Sequence, residues 1–171
     1  MEVTRLLCID PGKKAIGFAY SDADRLIACG CIRSKSTDPA IVAAAFYDAL
    51  VTSIPGFRPD ILVAEAMVWR PNDRKSQPND LLDVTRTTMH VAVALRVAGV
   101  RDVEALEWKG NLPKAIHHAR LDLALTEDER AIVRLGLAST IETHAKEVLD
   151  AVGIWAYYTK RTDRAGRSLR T

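Results

Sequence analysis

Long apolar runs are missing from these 171 residues, so no stretch of the sequence reads as a bilayer span. The first ten residues, MEVTRLLCID, lack the basic, apolar and small-residue sections of a secretory signal, and the expected location is the cytoplasm. Cysteine is scarce and odd in number. Cys8, Cys29 and Cys31 all lie in apolar stretches. Cys29 and Cys31 form C-x-C, but no other Cys or His is close enough in sequence to complete a zinc pattern. Buried free thiols are the expectation. Internal repeats and low-complexity blocks are also absent. Nor does one sign of charge dominate: 24 Lys and Arg face 22 Asp and Glu, a formal +2. The last thirteen residues, TKRTDRAGRSLRT, hold five basic residues and one acid, a net +4 that leaves −2 for residues 1–158. Such a tail either meets a phosphate backbone or serves as a plain solubilising end.

What the chain does have is enough apolar material for a core, 48% hydrophobic against 27% charged, at a length that suits one compact domain. Residues 3–10, 14–22 and 26–34 read as three strands, separated by DPGK and DADR. Connections that short favour antiparallel neighbours. Asp38-Pro39 reads as an N-cap with proline in the first turn, opening a helix to about Ser53. ILVAEA, residues 61–66, is a fourth strand. Residues 68–79 form a loop with two prolines. Asn79 or Asp80 then caps a long helix to about Ala98, apolar or small on most sides, which suits deep burial or a dimer interface. VEALE, residues 103–107, is a fifth strand. Pro113 suits a helix start, and Thr126 with Glu129 forms a capping box. A last helix is expected from about Ser139 to Tyr158. The order predicts an α/β domain over 1–158, a mixed sheet with helices on both faces, followed by a basic, flexible tail over 159–171.

Four acids draw the eye. Glu65 sits in a strand expected to be buried on both faces, where an ionised carboxylate needs a cation or a metal; the plainer alternatives are an edge position facing water or a salt bridge to an arginine. Asp10 ends the first apolar run. It is either the first residue of an Asp-Pro-Gly turn or a carboxylate planted at a strand end. Glu147 and Asp150 stand three apart, about 60° around a helix, and point away from the stripe Ile141, Ala145, Val148, Val152 and Trp155. Alone, that pair is a solvated face. His144 lies one turn earlier. Brought to one patch, four acids repel each other, and divalent cations relieve the repulsion. Hard oxygen donors favour Mg²⁺ or Mn²⁺ over zinc. Two such ions about 4 Å apart can clamp the attacking and leaving oxygens of a phosphodiester displacement.

At these residues the sequence resembles the RuvC family of Holliday-junction resolvases, within the RNase H-like superfamily. The matching features are I-D-P-G-x-x-x-x-G at Ile9 to Gly17, a strand ending Ala64-Glu65, and an acid-x-x-Asp-Ala pair at Glu147 to Ala151. The element order fits as well, and the resemblance covers residues 4 to 158. The PND at Pro78 to Asp80 and the stretch EWKGNLPK, residues 107–114, resemble the phage-type branch. The resemblance implies an RNase H-like fold, a five-stranded mixed sheet whose first three strands are antiparallel. It implies that Asp10, Glu65, Glu147 and Asp150 bind Mg²⁺, with Mn²⁺ as substitute and two ions per site, and are the catalytic residues. Glu147 departs from the family's more usual Asp, and His144 is an alternative participant. It further implies a homodimer that nicks two strands of a four-way junction symmetrically, a task suited to twofold symmetry.

DNA contact is expected from local basic residues, because the body carries no positive excess. In the loop after Glu65, Trp69, Arg70, Arg74 and Lys75 interleave a ring with cations; Trp69 either stacks on an unpaired base or packs under the loop. Lys109 and Lys114 flank the helix start at Pro113, where backbone N–H groups also favour phosphate. Trp108, Trp155, Tyr157 and Tyr158 read as core or interface residues. Two other functions remain in view: an RNase H-like nuclease acting on another branched DNA or structured RNA, and a non-catalytic branched-DNA-binding protein.

Overall fold

Five strands form one sheet: β1 (Arg5–Pro11), β2 (Ala15–Asp22), β3 (Arg25–Arg33), β4 (Ile61–Ala66) and β5 (Gly99–Glu104), in the order β3-β2-β1-β4-β5. The computed structural model describes residues 4–68, 77–163 and 167–169. The turns at 12–14 and 23–24 are as short as the sequence suggests, and they join antiparallel neighbours. β4 and β5 run parallel to β1. The first motif therefore occupies the middle of the sheet, and β3 is one of its edges.

Helices cover both faces: α1 (Pro39–Ser53), α2 (Pro78–Leu95), α3 (Ala105–Trp108), α4 (Lys114–Ala124), α5 (Glu127–Ala138) and α6 (Ala145–Tyr158). Strand alternation sorts the core into two layers. Leu7, Ile9, Leu62 and Ala64 pack with Phe46 and Leu50 of α1 and Val91 of α2. Cys8 and Val63, the residues between, pack with Val148, Val152 and Trp155 of α6 on the other side. Cys8 and Cys29 are buried thiols and Cys31 is half-buried; all three are free. Burial pushes the Cys29 and Cys31 thiols up to about 12, so they stay protonated.

Several boundaries follow their caps. Asp38 accepts hydrogen bonds from the backbone N–H groups of Ala40 and Ile41, with Pro39 in the first turn. Thr126 and Glu129 form both halves of a capping box. Three elements differ in their bounds from the sequence expectation, and α2 also stops at Leu95, short of Ala98. α2 begins at Pro78, whose fixed φ suits a first turn, so Gln77 and not Asn79 or Asp80 holds the N-cap position. β5 lies earlier than 103–107, because Glu104 and Glu107 close a capping box that winds Ala105–Trp108 into a helical turn. The last helix begins at Ala145, after a single 3₁₀ turn at Glu142–His144, because Ser139 ends α5. α2 meets both readings of its composition half-way. Val84, Thr87, Thr88, Val91 and Ala92 are buried, while Leu82, Met89 and Val93 form an exposed stripe.

Gly17 explains how α6 comes so close to the sheet. A Cβ built there would lie 2.1 Å from the Glu147 carbonyl oxygen. Gly17 pairs with Asp10 across the β1–β2 ladder, so the helix start is seated directly beside the first acid. Gly17→Ala is expected to push α6 off β2 and destabilise the fold by roughly 1–3 kcal/mol, the usual range for overpacking. A urea titration checks this; an unchanged midpoint would contradict the seating.

Beyond Tyr158 the described residues include 159–163. Arg161, one of the basic residues of the expected tail, is only 3% exposed. Its guanidinium pairs with Glu129, donates to the Asp24 carbonyl and lies 4.3 Å from the centre of the Trp155 ring. Arg161 belongs to the packed body, at the end of the sheet opposite Asp10.

Candidate active site

β1 and β4 run side by side, and their register pairs Ile9 with Ala64. The next residue of each strand is an acid, Asp10 on one and Glu65 on the other. Alternation turns both toward the face that α6 covers, since Cys8 and Val63 already point there. Pro11 still pairs with Ile16, so Asp10 lies within the strand, and the chain turns just after it. Asp10 is thus both the residue before a turn and a carboxylate at the sheet's end.

α6 supplies the third acid. Asp150 is 1% exposed on the inner face of its second turn. Burial first, and then the charges of Glu65 and Asp150, push Asp10 well above the usual carboxylate range; Lys114 and Lys109 act the other way. Glu65 is also raised, chiefly by burial, with Lys109 opposing. For Asp150 burial again acts upward, but hydrogen bonds from His118 and Lys114 outweigh it and hold this carboxyl below the usual range. Asp10, Glu65 and Asp150 therefore act on one another's ionisation and share one electrostatic site.

Protein cations answer two of them. Lys114, the first residue of α4, donates to Asp150 Oδ2. His118 Nε2, one turn on, lies 2.9 Å from Asp150 Oδ1. Lys109 Nζ is 3.8 Å from Glu65 Oε1 and 4.7 Å from the centre of the Trp108 ring. The indole N–H of Trp108 donates to Glu65 Oε2 at 3.2 Å. Trp108 is fully buried, and a Cβ on Gly153 of α6 would lie 2.6 Å from its ring, so α6 carries a notch for it. His117, also fully buried, meets the Trp108 carbonyl at 3.2 Å and stacks edge-on against its ring. The sequence reads Trp108 as a core or interface residue; the structure buries it and gives it in addition a bond to Glu65.

Glu147 faces the other side of Asp10. It lines a cleft with Asp10, Gly12, Lys13, Lys14 and His144. His144 Nδ1 is 3.5 Å from Glu147 Oε1, and Lys146 Nζ is 3.9 Å from the same oxygen. Glu147 Oε2 is buried with no hydrogen-bond partner. So the i, i+3 pair on α6 straddles Asp10, with Asp150 toward Glu65 and Glu147 toward the cleft. Of the residues expected to contact DNA, Lys109 and Lys114 stand on the acids. Trp69, Arg70, Arg74 and Lys75 fall outside the described residues.

Among the described residues, no three His, Cys, Asp or Glu side chains are gathered, as placed, into a group that could hold a metal ion. The donor chemistry nonetheless suits a hard cation: Asp10, Glu65 and Asp150 offer only oxygens, and Glu147 Oε2 is a buried oxygen without a partner. Two ammonium groups stand among these acids, Lys109 beside Glu65 and Lys114 on Asp150.

No protein-family model and no curated protein sequence matches the chain. Solved structures do. Thermus thermophilus RuvC, in complex with a Holliday junction substrate, superposes with a TM-score of 0.51 over 92% of this chain and 95% of that one, at 18% identity. The yeast mitochondrial Holliday junction resolvase gives a TM-score of 0.51 over 92% of this chain and 81% of that one, at 11% identity. This chain has the RuvC fold. The RNase H-like sheet, three antiparallel strands followed by two parallel ones, is therefore the architecture that RuvC shares, and the site described here lies at the carboxyl ends of its central strands. Among the described residues, no helix is long and apolar enough to cross a membrane.

His118 is the site residue that sequence reasoning missed. Its partner lies 32 positions away, and nothing in HHARLDLAL distinguishes it from the structural His117. The signal available was weak: an i, i+4 spacing from Lys114, on a helix already suspected of facing the site.

Proposed function

We propose that this chain is a divalent-metal-dependent, structure-selective endonuclease that resolves four-way DNA junctions by paired symmetric nicks. The observation that carries the reading is the convergence of Asp10, Glu65 and Asp150 on one site at the sheet's end, where burial first and then the charges of Glu65 and Asp150 raise Asp10. Acids are held in such proximity at a cost, and a function that needs cations repays it. Mg²⁺, or Mn²⁺ in its place, would be held by Asp10, Glu65 and Asp150 with Glu147 at the cleft side, two ions per site. Bound there, the ions would supply Lewis acidity toward the phosphodiester and an activated water.

The protein's own groups then have separable tasks. The Trp108 indole orients Glu65, and His118 orients Asp150. Lys109 and Lys114 put two cations beside the acids, where a scissile phosphate would arrive. Trp69, Arg70, Arg74 and Lys75 follow Glu65 directly in sequence and are proposed to meet the branch point. The exposed stripe of Leu82, Met89 and Val93 on α2 supports a homodimer, which paired nicking needs. The solved RuvC complex holds a Holliday junction, which supports branched DNA as the substrate class.

One observation favours a second reading, a junction-binding protein that does not cut: protein cations already answer Glu65 and Asp150. Cleavage assays on a labelled four-way junction, a flap, a linear duplex and a structured RNA separate these possibilities. The proposal expects Mg²⁺-dependent paired nicks in the four-way junction and little cutting of the duplex. Tight junction binding without cutting in Mg²⁺ or Mn²⁺ would favour the second reading, and preferential cutting of RNA would redirect the substrate.

A further inference from the structure

Asp150 has a protein partner on each oxygen, and the two partners are built differently. His118, with a side chain 16% exposed, packs beside the fully buried His117, so its ring has little room to move. Lys114 stands at the very start of α4, and its side chain is 48% exposed on a flexible stem. One contact is fixed and the other can leave. The mobile partner is a compact point charge placed on a carboxylate oxygen, the arrangement a hard cation would also adopt.

We propose that Lys114 is a resident counter-cation, holding Asp150 Oδ2 in the metal-free protein and yielding that oxygen to a divalent cation, while His118 keeps Asp150 oriented through Oδ1. This rests on the nuclease reading above and names the exchange that readies its site. Three acids left together with no cation would be costly, so the empty site needs a substitute charge. An ammonium on a flexible arm meets that need and can swing clear. The displaced Lys114 then remains at the rim of the site with its charge unspent, positioned to meet a phosphate. That joins its contact with Asp150 to the DNA contact expected from the sequence. His118 in this scheme is a positioning residue.

The two neighbours of Asp150 therefore predict effects of opposite sign on metal binding, which a merely structural role for either would not produce. The experiment is calorimetric titration of the intact protein with Mn²⁺ alone, with circular dichroism to confirm folding. Lys114→Met removes the competitor and is expected to tighten Mn²⁺ binding by about tenfold or more. His118→Phe is expected to weaken it about 10- to 100-fold, the usual consequence of losing a partner that orients a ligand, and His118→Gln to restore part of the loss. Lys114→Gln serves in place of Lys114→Met if the latter does not fold. Unchanged or weaker Mn²⁺ binding in the Lys114 variants would overturn the exchange while leaving the nuclease reading intact. Wild-type affinity in Asp150→Asn would also overturn it, since Asp150 would then not be the contested ligand. Absence of Mn²⁺ binding in every variant and in the wild type would overturn both.

Discussion

Asp10→Asn is expected to abolish junction cleavage and, at the same time, to stabilise the metal-free protein. The loss of activity should exceed about a thousandfold, because a metal ligand supplies several kcal/mol of transition-state stabilisation and each 1.36 kcal/mol is tenfold in rate. The gain in stability comes from the ground state. Burial and the neighbouring Glu65 and Asp150 charges oppose ionisation of Asp10, and an amide of the same shape escapes that opposition. An increase of roughly 1–2 kcal/mol is expected, a few degrees in melting temperature. The sign extends to pH. A carboxyl whose folded pKa is raised binds its proton more tightly in the folded state, so metal-free stability should fall as pH rises from the usual carboxylate range toward Asp10's raised value. Asp10→Asn should flatten that decline, and Mn²⁺ should flatten it in the wild type. Thermal melts at several pH values with and without Mn²⁺ measure all of this. An Asp10→Asn variant that is less stable than wild type, or that still cuts, would contradict the account.

The second large effect lies at the opposite end of the sheet. Arg161 and Glu129 form a buried ion pair, with side chains 4% and 5% exposed. Arg161→Met leaves Glu129 buried without its guanidinium and removes the bond from Arg161 to the Asp24 carbonyl, and it should cost about 3–5 kcal/mol. For a chain of this size that lowers the melting temperature by roughly 10 °C or more. Removing both charges, as Arg161→Met with Glu129→Leu, should recover much of the loss, because the cost lies in the unpaired charge. Burial acts to raise Glu129, but the hydrogen bond and charge of Arg161, with the hydrogen bonds from Thr126, together outweigh it and hold the carboxyl below its usual range. The stability it contributes is therefore present above the usual carboxylate range and is lost as pH falls through the depressed value. Cleavage by Arg161→Met, measured well below its melting temperature, should match wild type. A melting temperature within two or three degrees of wild type would show that the pair contributes little.

Local chemistry made most of the fold readable. Asp38-Pro39 and Thr126 with Glu129 mark helix starts because capping is written in neighbouring residues. IDPG and ILVAEA mark strands because an apolar run ending in an acid has few other places to go. Where the readings slipped, a second local signal competed. Glu104 with Glu107 drew residues 105–107 from strand into helix, and Pro78 started α2 early. At the site, Asp10 and Glu65 were legible as misplaced charges, and the answer for Glu65 is a lysine and an indole, not an arginine. Contacts set by tertiary packing were not legible. Lys109 and Lys114 look like surface cations until α3 and α4 fold them onto the acids. His118 reaches Asp150 across 32 residues, and Arg161 looks like tail until it docks on Trp155.

The most direct test of the central claim, that Asp10, Glu65 and Asp150 together form a cation site, is the anomalous density of crystals soaked in Mn²⁺. The account predicts a peak within coordination distance of Asp10 and of at least one of Glu65 and Asp150, with Lys114 withdrawn from Asp150. A protein that cuts four-way junctions in Mn²⁺ yet shows its peak away from all three carboxylates would contradict it.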